Sequence, residues 1–195
     1  TEDGDLVDYH LHALSLGTGL KSLCGRTGTT TAYVNPARFD WGEPLWKIKA
    51  SVIMSAARIV DRPKADRQYV QRLINLVTAI PRAGTFHILA LDAYHGADGQ
   101  PDWGKTDIHV PNEYVVELSE CLNKRLARPR FVPVISVHPA RQDAISALRA
   151  FATRGVRFVK WLPNVMNIDP AAPAYASYFA EMARLKRTLL THTGD

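Results

Sequence analysis

The sequence predicts an α/β fold, a parallel sheet with helices packed outside it. Two observations carry this reading. Short apolar runs rich in β-branched and aromatic residues recur along the chain, and most are separated by segments whose apolar residues repeat at helical spacing. Strands alternating with helices in this way build β/α units around a parallel sheet.

Strands are predicted over 6–12, 86–94, 131–138, 156–161 and 188–193. Asn112 is placed to cap a helix carrying Val115, Leu118, Leu122 and Leu126 along one stripe. A helix over 143–154 puts Ile145, Leu148, Phe151 and Ala152 on one face, with Gly155 as its stop. Asp169-Pro170 opens a stretch in which Tyr175, Phe179, Met182 and Leu185 repeat helically. The first two strands are far apart. Between them the sequence predicts a polar loop over 17–46 and helices over 47–60 and 66–80, and an excursion of that length usually covers a site.

Composition narrows the class. The 195 residues suffice for one substantial core and are short for two domains. Apolar residues are 46% and charged residues 22%, which excludes disordered, collagen-like and coiled-coil chains. No apolar run approaches the roughly 18 residues of a membrane-spanning helix. The net charge is +5, but the basic residues are scattered, and no alternation of Arg with aromatics suggests stacking on bases. The expected partner is therefore a small-molecule substrate, without nucleic acid or membrane, and a homo-oligomer is compatible with the composition. Cys24 and Cys121 form no CxxC pair, and the reading is of two free thiols in a cytoplasmic, reducing compartment. The absence of an initiator Met makes both ends look cut.

The chemistry collects at strand ends. In Asp8-Tyr9-His10-Leu11-His12 the two histidines lie two apart, so on a strand both imidazoles point the same way, and such a pair is half of a first-row metal site. Asp8 shares that parity and is placed to orient a ring or support the strand. His138 ends the third strand, Lys160 lies near the end of the fourth, and His192 near the end of the fifth. Carboxyl ends of parallel strands are where β/α folds carry their sites. Lys160 sits among Val156, Phe158, Val159 and Trp161, and a lysine in so apolar a strand needs a partner. Neither cysteine lies in a motif with histidine, and Gly17-x-Gly19 and Gly25-x-x-Gly28 lack the pattern of a nucleophile elbow or a phosphate loop.

His10-x-His12, Ser136-Val137-His138-Pro139, Lys160-Trp161-Leu162-Pro163-Asn164 and His192-Thr193-Gly194, in this order, resemble the amidohydrolase superfamily, in its branch of metal-dependent hydrolases and decarboxylases. The resemblance implies a distorted TIM (β/α)8 barrel. The chain would be its N-terminal part of about five β/α units, with the C-terminal strands absent. It would form one incomplete domain over 1–195, with a long insertion over 13–84 after the first strand. It also implies a divalent metal, zinc foremost, as one or two ions held by His10, His12 and His192. Lys160 matches a position that some members carboxylate to bridge two metals. The alternative is a Lys160 ammonium paired with a carboxylate such as Asp92.

Lys160 and His192 are the expected catalytic residues within the chain, and Asp92, His138 and Trp161 the expected pocket residues. Arg26, Arg38, Trp41 and Trp46, with His95, Trp103, Lys105 and His109, are candidates to shape the pocket mouth. The family's further histidine and its catalytic aspartate follow later strands, and Asp195 is too close to His192 to be that aspartate. The implied reaction is hydrolysis of an amide, ester or lactone by metal-activated water, carried out by the whole enzyme and not by this portion alone. The alternatives are decarboxylation of an aromatic or unsaturated acid on the same barrel, a metal-dependent phosphoesterase or nuclease, and a non-catalytic barrel used for binding.

Overall fold

The computed structural model describes residues 6–13, 15–16, 32–35, 37, 44–81 and 84–192, with side chains undescribed at a few positions of the first helix. Cys24, Arg26, Arg38, Trp41, Thr193, Gly194, Asp195 and the Gly17–Gly28 motifs lie outside the described residues, as does the side chain of Trp46.

The described strands are β1 (Leu6–His12), β2 (Tyr33–Val34), β3 (Gly84–Leu89), β4 (Ile108–His109), β5 (Phe131–Ile135), β6 (Phe158–Trp161) and β7 (Thr188–Thr191). The helices are α1 (Pro44–Ala56), α2 (Ala65–Ala79), α3 (Asn112–Asn123), α4 (Ala144–Thr153), the single turn α5 (Pro163–Met166) and α6 (Ala176–Arg184). Five strands form one parallel sheet in the order β1-β3-β5-β6-β7, a half-barrel flanked by helices. Among the described residues no helix is long and apolar enough to cross a membrane.

Alternation along each strand divides the side chains between two faces. Outward-facing Phe86, Ile88 and Phe131 meet Val70 and Val77 of α2 and Val115, Leu118 and Leu122 of α3 in one core. Outward-facing Ile135, Val159 and Trp161 meet Leu148 and Phe151 of α4 and Tyr178 and Met182 of α6 in a second. Truncating a fully buried residue such as Leu118 costs about 2–5 kcal/mol, because the cavity left behind closes only in part. Gly155 stops α4 as its sequence predicts. It takes a φ of +78°, and the Gly155 and Val156 amides donate to Ala152 and Phe151, satisfying carbonyls the helix end leaves open.

Three expectations are corrected. Asn112 is the first residue of α3 rather than its cap: its amide donates to the Ser136 carbonyl at 2.9 Å and accepts from the Ser136 N–H at 2.7 Å. It extends β5 by side-chain bonding where no strand neighbour is available. The predicted strand over 86–94 ends at Leu89, because Leu91 turns away to exchange backbone hydrogen bonds with Val110, beside the small β2–β4 sheet. Cys121 is disulfide-bonded rather than a free thiol, and Cys24 is the chain's one other cysteine. The free-thiol argument for a reducing, cytoplasmic compartment goes with it, since structural disulfides persist in oxidising surroundings.

Arg130, one of the scattered basic residues, is buried. Its guanidinium donates to the Val77 carbonyl at 2.6 Å and the Gly84 carbonyl at 3.1 Å, and lies 5.1 Å from the Phe86 ring centroid. It ties the end of α2 to the start of β3. A cation there also meets the negative end of the helix dipole.

Candidate functional site

The inner, concave face of the half-barrel brings together His10, His12, Lys160 and His192. The histidine pair lies on β1, an edge strand of the sheet, where the pairing with β3 slips: Asp8 lies opposite Phe86 but Leu11 opposite Ile88, so β1 carries one extra residue. A bulge of this kind turns consecutive side chains toward one face. Tyr9 reaches inward to stack on His87 at 4.4 Å and Phe158 at 6.1 Å, while His10 and His12 sit above. The same slip puts Asp8 out of phase with the imidazoles. Its carboxylate accepts the His10 backbone N–H at 2.8 Å, a group the slipped ladder leaves free, and so supports the bulge instead of orienting a ring.

The Nε2 atoms of His10 and His12 approach to 2.9 Å, and the two rings lie 4.8 Å apart. At that separation one ring carries the proton that the other accepts. His192, just beyond β7, places its ring 5.4 Å from that of His10, edge to face. Burial holds both His10 and His12 below the ordinary imidazole pKa, and the positive fields of Lys160 and His192 push the same way. Both rings therefore favour the neutral form, the one that offers a lone pair.

Lys160 comes from β6 between the inward Phe158 and the cluster, and only 5% of it is exposed. Burial lowers its pKa, and among the described residues no carboxylate raises it. The expected Asp92 partner is engaged elsewhere: Asp92 accepts from Arg141 at 3.0 Å, the His138 N–H at 2.8 Å and the Ala93 N–H at 2.9 Å.

The donor set fits a metal in part. Nitrogen ligands about 2.0–2.1 Å from a tetrahedral zinc sit about 3.3 Å from each other, a few tenths of an ångström more than the His10–His12 spacing. A small ring rotation opens the pair to that distance. His192 is close but not converged with them, and among the described residues no three His, Cys, Asp or Glu side chains form a group able to hold a metal ion.

Of the expected pocket residues, Asp92 lines a cavity of about 380 Å³ beside the loop that follows β3, together with His95, Trp103, His109 and Arg141. His138 is 1% exposed and fully engaged: Nδ1 accepts the Ala140 N–H at 3.1 Å, and Nε2 donates to the Met166 carbonyl at 2.8 Å. It braces the turn after β5 and faces no open pocket. Trp161 is wholly buried in the second core, donating to the Val137 carbonyl at 2.9 Å and packed on Tyr178 and Phe179. Its pocket role is therefore replaced by packing. Alternation already signalled this, since Trp161 and Lys160 are adjacent on one strand and face opposite ways.

His87 was missed. It forms the aromatic layer under the histidine pair, with Tyr9 and with Phe158 at 4.6 Å, and its Nδ1 donates to the Asp8 carbonyl at 3.1 Å. Its signal was present, a buried-strand histidine two residues from Leu89, the neighbour of His12. Compared with known proteins, the chain matches no family model, no curated protein and no solved structure.

Proposed function

We propose that this chain is the N-terminal part of a (β/α)8-barrel enzyme of amidohydrolase type, a metal-dependent hydrolase acting on an amide, ester or lactone bond of a small molecule. The convergence of the His10 and His12 Nε2 atoms at 2.9 Å, on the inner face at the carboxyl end of β1, supports the reading most. His10 and His12 would hold a divalent ion, zinc foremost, with His192 as a further ligand from β7. A bound ion of this kind supplies a Lewis acid and a water of lowered pKa.

The remaining work falls to the chain's own residues. The bulge at Tyr9–His10 presents both imidazoles from one rigid strand, so little ordering is left to be done on binding. Lys160 faces the cluster with no carboxylate partner among the described residues. As an amine it steers an anionic or carbonyl oxygen toward the histidines; carboxylated, it becomes a further oxygen ligand. Tyr9, His87 and Phe158 floor the site with aromatic surface. That floor favours a second reading, decarboxylation of an aromatic or unsaturated acid whose ring lies on it.

Metal content separates these readings from a barrel whose histidines only pack. Purified chain and the His10→Ala/His12→Ala variant, equilibrated with zinc and desalted, are compared by elemental analysis and far-UV circular dichroism. Near-stoichiometric zinc in the parent, lost in a variant of unchanged fold, is the expected outcome. Equal zinc in both proteins, or none in either, overturns the proposal.

A further inference from the structure

Away from the histidine pair, the loop after β3 and the turn after β5 enclose the cavity of about 380 Å³. That volume suits a small ligand. Two polar atoms in it lack part of their bonding. The Nδ1 of His109 is buried without a hydrogen-bond partner, and it lies 3.9 Å from Asp92 Oδ1, too far for a direct bond. Among the described residues Asp92 Oδ1 accepts the Ala93 N–H alone, and a carboxylate oxygen has a second lone pair to offer in this lining. Burial lowers the His109 pKa, which favours the neutral ring, and in the tautomer protonated at Nε2 its Nδ1 is an acceptor.

The other walls agree in sign. His95 donates Nδ1–H to the Ala93 carbonyl at 2.9 Å. Arg141 is the one cation among the lining residues. It is held between Asp92 at 3.0 Å and Asp143 through two bonds of 2.8 Å, so the carboxylates and guanidinium of the lining sum to a net charge of about −1.

Trp103 supplies an aromatic wall. It is 43% exposed but held: its carbonyl accepts from the Tyr33 hydroxyl at 3.1 Å, and its ring meets His109 edge-on at 5.5 Å. An exposed indole fixed beside unsatisfied acceptors matches a cation carrying several N–H donors on an apolar body.

We propose that this cavity binds a small organic ammonium ion, its nitrogen bridging Asp92 Oδ1 and His109 Nδ1 and its apolar body lying on Trp103. The site is argued from its own residues and does not depend on the hydrolase reading.

Benzylammonium chloride is the probe, with benzyl alcohol as its neutral counterpart and benzoate as the anion, each titrated into the chain and followed by tryptophan fluorescence and calorimetry. Saturable benzylammonium binding is expected, at least about tenfold tighter than benzyl alcohol. It falls by about tenfold in His109→Phe, which keeps a ring against Trp103 but removes the nitrogen, and in the surface variant Trp103→Ala. His10→Ala/His12→Ala leaves it unchanged. Equal binding of benzyl alcohol, tighter binding of benzoate through Arg141, or no saturation because a water alone bridges the two atoms would each overturn the proposal.

Discussion

His138 gives its one ring proton to the Met166 carbonyl at 2.8 Å and receives the Ala140 N–H on its other nitrogen at 3.1 Å. The Ala140 bond requires the neutral ring, and protonating Nδ1 breaks it, whereas the Met166 bond survives protonation. Burial is the main reason its pKa falls to about 4 from an ordinary 6.5, with the neighbouring His95 acting in the same direction.

The unfolded chain binds a proton at His138 between pH 6.5 and about 4 while the folded chain does not. The stability linked to this group is complete above pH 6.5, declines as pH falls through that window, and levels off below about 4. Urea unfolding at several pH values checks this. His138→Gln, which keeps a donor and an acceptor but cannot titrate, should flatten the decline. A slope identical to that of the parent would show that His138 does not contribute.

Arg130 joins two elements that the sequence leaves adjacent but unconnected, through the Val77 and Gly84 carbonyls. Arg130→Met keeps most of the apolar stem over Phe86 and removes the guanidinium from both carbonyls, leaving Val77 the long Ile80 N–H bond of 3.4 Å, at a cost of about 2–4 kcal/mol. Arg130→Lys should recover less than half of that, because an ammonium cannot reproduce the planar fork. Denaturant midpoints at constant m-value measure both. A loss under about 0.5 kcal/mol in Arg130→Met would place the side chain among dispensable surface charges.

Gly99 borders the ammonium cavity with a φ of +74°, and a Cβ there would overlap the Ala140 carbonyl oxygen. Its N–H donates to the Gly96 carbonyl at 3.0 Å, closing a tight loop at the cavity's edge. Gly99→Ala should cost about 2–4 kcal/mol, combining the left-handed penalty with displacement of the turn after β5. It should also weaken benzylammonium binding. A variant with parental stability and affinity would mean the loop yields freely, contrary to the close contact.

The sequence by itself determined the α/β class, the bounds of β1, the stop at Gly155 and the histidine pair. Each is a local property: alternation, helical spacing, or one residue's tolerance of positive φ. It also put Lys160 and His192 at strand ends, since parallel strands separated by helices must share a direction. Tertiary structure alone decided the rest. The slip between Asp8 and Leu11 depends on the register with β3, and it removed Asp8 from the imidazole face. Asp92 went to Arg141 rather than Lys160, and Asn112 went to Ser136 rather than its own helix, because a buried polar group bonds to whatever the fold brings within reach. The burial of Arg130 and the disulfide of Cys121 follow the same logic. Periodicity reports which face of a segment is buried; it carries no record of the distant group against which that face is pressed.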